Sequence, residues 1–228
     1  MSPSNDIHPT AIVTGAVTIG PGSVILPYSV LTGPLEIGRN NIIGPHTVIG
    51  SPGQDTRNPR YDSSRSRIRI GDDNIIREHV SIQKPCYGHT TDIGSRTYIM
   101  HNVHVPHDAR IGDDAVLAPG VVLAGLVHVL RGANLAIGCT VHQRSVIGQY
   151  AIAAMGAIVI RNIRPFSRHI PDRPVSVNEY AVEKFGFGEW LPEIRDYVLS
   201  GAPPNAPEIV AIVDQYNQLH AASGREQY

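Results

Sequence analysis

Four histidines gather late in the chain, at positions 101, 104, 107 and 142, and His107 is followed directly by Asp108. An imidazole beside a carboxylate is what a general base working near neutral pH requires, because the carboxylate orients the ring and steadies its charged form. A single outward histidine is usually no more than a solvated polar group. Three imidazoles within HNVHVPHDARIG, interleaved with Asn102 and Asp108, are less easily dismissed and point to general-base chemistry. The same side chains admit a second chemistry: His101, His107 and His142 are also what a zinc site with three imidazoles and one open position would use.

What must position them is a repeat. From Ile7 every sixth residue is a branched aliphatic, through Val13 and Ile19 to Ile49, then Ile70, Ile76 and Ile82, then Ile93 to Val159. Of these 23 positions only Ala153 departs from the rule, so the pattern is structural and not chance. Gly often follows the aliphatic (Ile19-Gly20, Ile37-Gly38, Ile93-Gly94), and the residue four after it is usually small (Ser23, Thr47, Thr97, Ala109). A period of six fits neither a helix nor a long alternating strand. It fits a hexapeptide solenoid, an all-β parallel β-helix with one short strand and one turn per repeat. Three repeats close a triangular coil, and seven to eight coils at about 4.8 Å each predict a prism roughly 35–40 Å long. The aliphatics point inward, and Asn40, Asn41 and Gly53 are expected at corners that need positive φ. Similarity to known hexapeptide solenoids implies left-handed winding, against the usual right-handed preference of parallel crossovers. In this frame His101 and His107 take equivalent positions on neighbouring faces, His107 points outward, and His142 lies about two coils further along.

The prism is expected over residues 1–174, with loops at 50–69 and 83–92 where the period breaks. Insertions in a solenoid project from one face, often the binding face. Three prolines make Arg161–Pro174 an extended connector. Residues 175–228 read as a small α-helical region: Tyr180–Lys184, Leu191–Ser200, and Pro207–Ala222 with Ile209, Ile212, Val213, Tyr216 and Leu219 at helical spacing. Pro207 suits a first turn and Gly224 a stop.

Composition narrows the function. A chain of 228 residues that is 42% hydrophobic can bury a core. A net charge of −1 gives no footing for bulk binding to nucleic acid or an anionic membrane. The longest apolar stretch, Val121–Leu130, is too short for a transmembrane segment. The polar N-terminus shows no signal peptide, and Cys86 and Cys139 are too few for a disulfide framework, so a cytoplasmic protein is expected. No phosphate-cradling P-loop is present.

From Ile7 to Phe187 the chain resembles the LpxA-like family, the acyl-carrier-protein-dependent UDP-N-acetylglucosamine O-acyltransferases of lipid A biosynthesis, and several short motifs carry the likeness. They are Gln54-Asp55, Ile76-Arg77-Glu78, His104-Val-Pro-His107-Asp108, Leu123-Ala-Gly125 and Val141-His142-Gln143. The resemblance implies acyl transfer from a phosphopantetheine thioester, acyl-ACP or acyl-CoA, to a hydroxyl or amine of a sugar nucleotide or amino sugar. It implies no tightly bound cofactor and no metal. It makes His107 the base, Asp108 its orienting partner and Gly125 the backbone donor to the oxyanion. His104 matches a residue near the donor, Asp55 and Arg57 match sugar contacts, and His142 and Gln143 match the acceptor and acyl-chain pocket. The family also implies a homotrimer with clefts between subunits, and an acyl carrier protein as partner.

Three departures bear on the acceptor. Leu126 stands where the family has a histidine. Asn178 matches, but Tyr180 replaces a following glutamate, and Lys184-Phe185 replaces a pair of arginines. Two arginines suit a diphosphate clamp, so these substitutions predict an acceptor other than, or held differently from, UDP-N-acetylglucosamine. Arg57, Arg60 and Lys184 are the remaining candidates for a phosphate. Two alternatives stand beside this reading: a zinc hydrolyase resembling γ-carbonic anhydrase, and a non-catalytic β-helix scaffold. Stoichiometric zinc marks the first, and the intact His107-Asp108 pair and Gly125 speak against the second.

Overall fold

The computed structural model describes residues 4–57 and 62–228, so Arg60 lies outside the described residues. Among the described residues twenty-five short strands form sheets of ten, eight and seven strands, visited in rotation. Ile25 pairs with Ile43, 18 residues on, which is one coil of three hexapeptides. Ile43 then pairs with Ile76, 33 residues on, and Ile76 with Ile99, 23 on, before Ile99 to Leu117 returns to 18. The excesses of 15 and 5 residues are the two loops. Pairing is parallel throughout except at the end, where Ser167–His169 meets Ser176–Val177 antiparallel. The architecture is a left-handed parallel β-helix.

The inward aliphatics make one column, with Ile25, Leu31, Ile43, Ile49, Ile76, Ile82 and Ile99 fully buried. The first coil differs from expectation. Ile7 and Val13 are 43% and 41% exposed, because their strands lie at the edges of the first and second sheets with no described coil stacked beyond. The corner residues also sort differently. Asn40 takes φ +56°, as expected. Asn41 instead turns inward, where its Oδ1 accepts the Asn74 N–H at 3.0 Å. Asn74 in turn accepts from the N–H and hydroxyl of Thr97, both at 2.8 Å. Gly53 needs room and not positive φ: a Cβ there would lie 2.3 Å from Cys86 Sγ.

Strand Val48–Ser51 runs into the first loop and Arg67–Ile70 begins before its expected end, so the excursion covers 52–66. The second, between Ser81–Gln83 and Thr90–Ile93, covers 84–89. Ser176–Val177 still joins the first sheet, two residues past the expected prism boundary. Three helices follow: α1 (Glu179–Lys184), α2 (Leu191–Ser200) and α3 (Pro207–Ser223). Gly201 and Gly224 end α2 and α3 at φ +77° and +65°, left-handed caps that spare a side chain its steric cost. The helices pack on the last coils, with Val182, Ile194, Ile209 and Val213 around Tyr150 and Phe166, and Tyr216 against Leu130 and Val146.

The three outer faces differ in chemistry. The first sheet shows Val24, Ile42 and Ile75 in one ladder, and the second shows Ile12, Val30 and Val48. The third carries ion pairs, Glu36–Arg67 at 2.9 Å and Arg69–Asp92 at 2.8 Å. Among the described residues no helix is long and apolar enough to cross a membrane.

Candidate functional site

Both loops leave the prism at the same corner, between the second and third sheets, on successive coils. The next three turns of that corner carry His107-Asp108, Gly125-Leu126 and His142-Gln143. Backbone hydrogen bonds tie these levels together: Leu126 N–H donates to the His107 carbonyl at 3.1 Å, and Arg144 N–H to the Gly125 carbonyl at 3.0 Å. The repeat therefore stacks residues that are far apart in sequence along one edge.

His107 Nδ1 lies 2.8 Å from Asp108 Oδ2. Asp108 sits at φ +59°, buried, and its carboxylate accepts the backbone N–H groups of Cys86 at 2.9 Å, Tyr87 at 3.1 Å and Gly88 at 2.6 Å. Burial by itself pushes the Asp108 pKa up, but the bond from His107 and the amides of Cys86 and Gly88 outweigh it and hold it below the ordinary 3.8. In the tautomer whose Nδ1–H donates to this carboxylate, Nε2 is the nitrogen turned to act as a base. Gly125 is pressed against that edge of the ring: a Cβ there would stand 2.3 Å from Cε1 and 2.4 Å from Nε2. Its N–H has no acceptor among the described residues, which leaves it available to an oxyanion beside Nε2. His104 Nδ1 meets Ser81 Oγ at 2.7 Å, and burial, then the neighbouring His107, lower its pKa below 6.5.

Across the corner, the first loop contributes Asp55 and Arg57. Arg57 bonds Asp55 through its backbone N–H at 3.0 Å and its Nε at 3.3 Å, and the backbone bond is the chief reason the Asp55 pKa is lowered. These side chains border a depression of about 490 Å³ shared by His104, His107, Gly125, Leu126 and Gln143. Asp108 lies directly behind His107.

The other expected site residues fall elsewhere in the chain. His142 is exposed outside the depression, its Nδ1 engaged by the guanidinium of Arg225, which also donates to the Gln143 carbonyl at 2.6 Å. Asn178 is buried and spent on folding: its amide donates to the Tyr150 carbonyl at 2.8 Å, and its carbonyl accepts from Ala181 at the start of α1. Lys184 is exposed on α1, 5.2 Å from the centre of the Phe185 ring. His101 belongs to another corner, at the end of a ring stack through Tyr28, His46 and His79 spaced 5.0 to 5.6 Å. The three-histidine zinc set is thus not assembled within one chain, and among the described residues no group of three His, Cys, Asp or Glu is placed to hold a metal. Tyr87, Arg144 and Arg225 were missed by sequence reasoning. Tyr87 and Arg144 line the depression. The signal for Tyr87 was its five-residue insertion, which puts it one coil from His107 on the same corner.

The family described as bacterial transferase hexapeptide (six repeats) matches residues 16–51 and 90–125. An acyl-[acyl-carrier-protein]–UDP-N-acetylglucosamine O-acyltransferase of Alkalilimnicola ehrlichii is 36% identical over 141 residues, 60% of this chain and 54% of that protein. One of the same name from Pseudomonas fluorescens is 34% identical over 141 residues, 60% of this chain and 55% of that protein. The chain therefore spans about half the length of the curated relatives it matches. Among solved structures, the UDP-N-acetylglucosamine acyltransferase of Francisella novicida superposes with a TM-score of 0.82 at 25% identity, covering 98% of this chain and 90% of that one. LpxA of Bacteroides fragilis gives 0.78 at 27% identity, covering 100% and 99%. The chain thus resembles UDP-N-acetylglucosamine acyltransferases in sequence over 60% of its length and in fold over nearly all of it.

Proposed function

We propose that this chain transfers an acyl group from a phosphopantetheine thioester to a hydroxyl or amine of a sugar nucleotide or amino sugar. The observation that carries the reading is an imidazole fixed by a buried carboxylate, with its free Nε2 against the backbone of Gly125. As the acceptor attacks the thioester carbonyl, its proton passes to His107 Nε2 and the new C–O or C–N bond forms. The carbonyl oxygen becomes an oxyanion beside the Gly125 N–H. Collapse breaks the C–S bond, and the leaving thiolate takes the proton back from the imidazolium. Asp108 stays charged throughout and steadies the imidazolium. The step balances with the donor as a substrate and calls for no bound cofactor. Asp55, Arg57, Gln143 and His104 border one depression, and the resemblance assigns the first three to the acceptor and His104 to the donor.

The names of the relatives support acyl carrier protein as the delivering partner and UDP-N-acetylglucosamine as the reference acceptor. The apolar outer faces of the first and second sheets support a homotrimer in which each covers its neighbour's, while the charged third sheet faces water. The two free thiols suit a reducing cytoplasm. Mass spectrometry of mixtures of acyl-ACP or acyl-CoA with UDP-N-acetylglucosamine and other amino-sugar acceptors tests the reaction. An acylated sugar is expected, absent with His107→Ala, and no product from any pair overturns the reading.

A further inference from the structure

The second loop carries one side chain that reaches both halves of the site. The backbone N–H of Tyr87 donates to Asp108 at 3.1 Å. Its hydroxyl donates to the Asp55 carboxylate and accepts from the Arg57 guanidinium. Its ring stands edge-on to the His107 imidazole, with centroids 5.7 Å apart, and Arg57 lies 5.2 Å over the ring. The loop's structural work is done by the backbone of residues 86–88, through Asp108. The ring itself is 50% exposed on the wall of the depression, where packing does not explain it.

We infer that Tyr87 is a specificity-determining residue for the acceptor, which is a pyranose with a second free hydroxyl on the ring that is acylated. This rests on the acyl-transfer reading above. An aromatic ring with a polar tip offers an apolar surface to the C–H face of a sugar and a hydroxyl to its edge. Here the tip is joined to a carboxylate that accepts and a guanidinium that donates, the pair that a sugar hydroxyl satisfies in both directions. The wall formed by Leu126 offers no side-chain hydrogen bond. The Tyr87–Asp55–Arg57 group thus offers the acceptor a connected donor and acceptor facing Gln143 and Arg144 across the depression, and the same loop fixes Asp108, so that acceptor recognition and base orientation share one five-residue insertion.

The test is Tyr87→Phe, which keeps the ring and the backbone bonds to Asp108, beside Tyr87→Leu, which also removes the ring. The Phe variant is expected to raise the acceptor KM by roughly ten- to a hundredfold, the usual cost of one hydrogen bond within a charged group. Its kcat, donor KM and kcat–pH profile should stay near wild type, and the Leu variant should raise the acceptor KM further. An unchanged acceptor KM in Tyr87→Phe, or a collapse of kcat at constant KM, overturns the inference. Calorimetric titration of UDP-N-acetylglucosamine and N-acetylglucosamine 1-phosphate into the intact wild-type and Tyr87→Phe proteins reads the same contact without turnover. Weakened binding by the variant where neither protein transfers an acyl group rejects the proposed reaction and keeps Tyr87. Equal binding by both proteins, or none by wild type, rejects Tyr87.

Discussion

Gly125 and His107 occupy adjoining space so fully that the Cβ of any other residue at 125 would stand 2.3 Å from Cε1 of the imidazole. Gly125→Ala must therefore push the ring off its Asp108 bond or move the N–H proposed as donor to the oxyanion. Loss of a single oxyanion donor costs about 10²–10³ in kcat, and a decrease of that order is expected here. Residue 125 lies in a surface turn, so the melting temperature should barely change. Steady-state kinetics beside a thermal melt check both halves, and a normal kcat would remove Gly125 from the reaction.

Asp108→Asn should damage stability as well as rate. The amide nitrogen brings a donor to a place where three backbone N–H groups need acceptors, and one donor left unsatisfied costs about 1–3 kcal/mol. The pKa of Asp108 is depressed in the fold, so its contribution is complete above the unfolded value near 3.8 and is lost as pH falls through the lower folded value. Chemical denaturation at pH 7 and pH 3 should show a gap between wild type and Asp108→Asn that narrows in acid. A gap independent of pH would show that the charge is not what stabilises.

A milder acid effect comes from three imidazoles. His104, His128 and His169 are each held below 6.5, chiefly by burial. A histidine depressed in the folded state leaves the unfolded chain binding more protons, so its stabilisation is complete above about 6.5 and fades as pH falls through the folded value. The melting temperature should drop between pH 7 and pH 5, before most carboxylates titrate. His169→Phe, which preserves the stack on Tyr228 at 4.0 Å, should lessen that drop. A pH-independent melt over this window would refute the burial argument.

Assembly has a simple readout. Light scattering should give about three times the 24.7 kDa chain mass. Replacing Ile42 and Ile75 with Lys puts charges on the apolar ladder of the first sheet and should dissociate the particle while the monomer keeps its β-rich circular dichroism. A monomer of wild-type protein at working concentrations would overturn the trimer.

Leu126 bears on acceptor choice. It sits at φ +63°, where a left-handed backbone costs a branched residue about 1–2 kcal/mol, and it faces the depression. Leu126→His restores an imidazole found there in the family it resembles. If the leucine sets acceptor preference, the variant should raise kcat/KM for UDP-N-acetylglucosamine by roughly tenfold or more relative to other amino sugars. Equal ratios in both proteins would mark the substitution as neutral.

Period and spacing made the prism legible, because each inward aliphatic obeys a local rule that stacking then satisfies. His107 and Asp108 were legible as an imidazole next to a carboxylate, and Gly125 only through the motif resemblance; stacking then puts Gly125 one coil beyond His107 on the same corner. What escaped lay outside the repeat. Tyr87 stands in an insertion with no period, and Arg225 comes from the other end of the chain to meet His142. Asn178 matched a motif, yet its burial and its bond to Tyr150 arise only from how the helices dock on the last coils.

Ile43 reaches Ile76 across 33 residues and Ile76 reaches Ile99 across 23, yet neither pairing disturbs the column above or below. The irregularity stays local, at Gln83 against Ser51 where the loops leave, while Ile82 still meets Ile49, and a longer loop adds closure cost only as the logarithm of its length. The corner behaves as a socket with an interchangeable fitting. Residues can be added or removed in the first loop to reshape what the depression admits while the stacked aliphatics keep their register, whereas the second loop is tied to the His-Asp pair through the amides of residues 86–88.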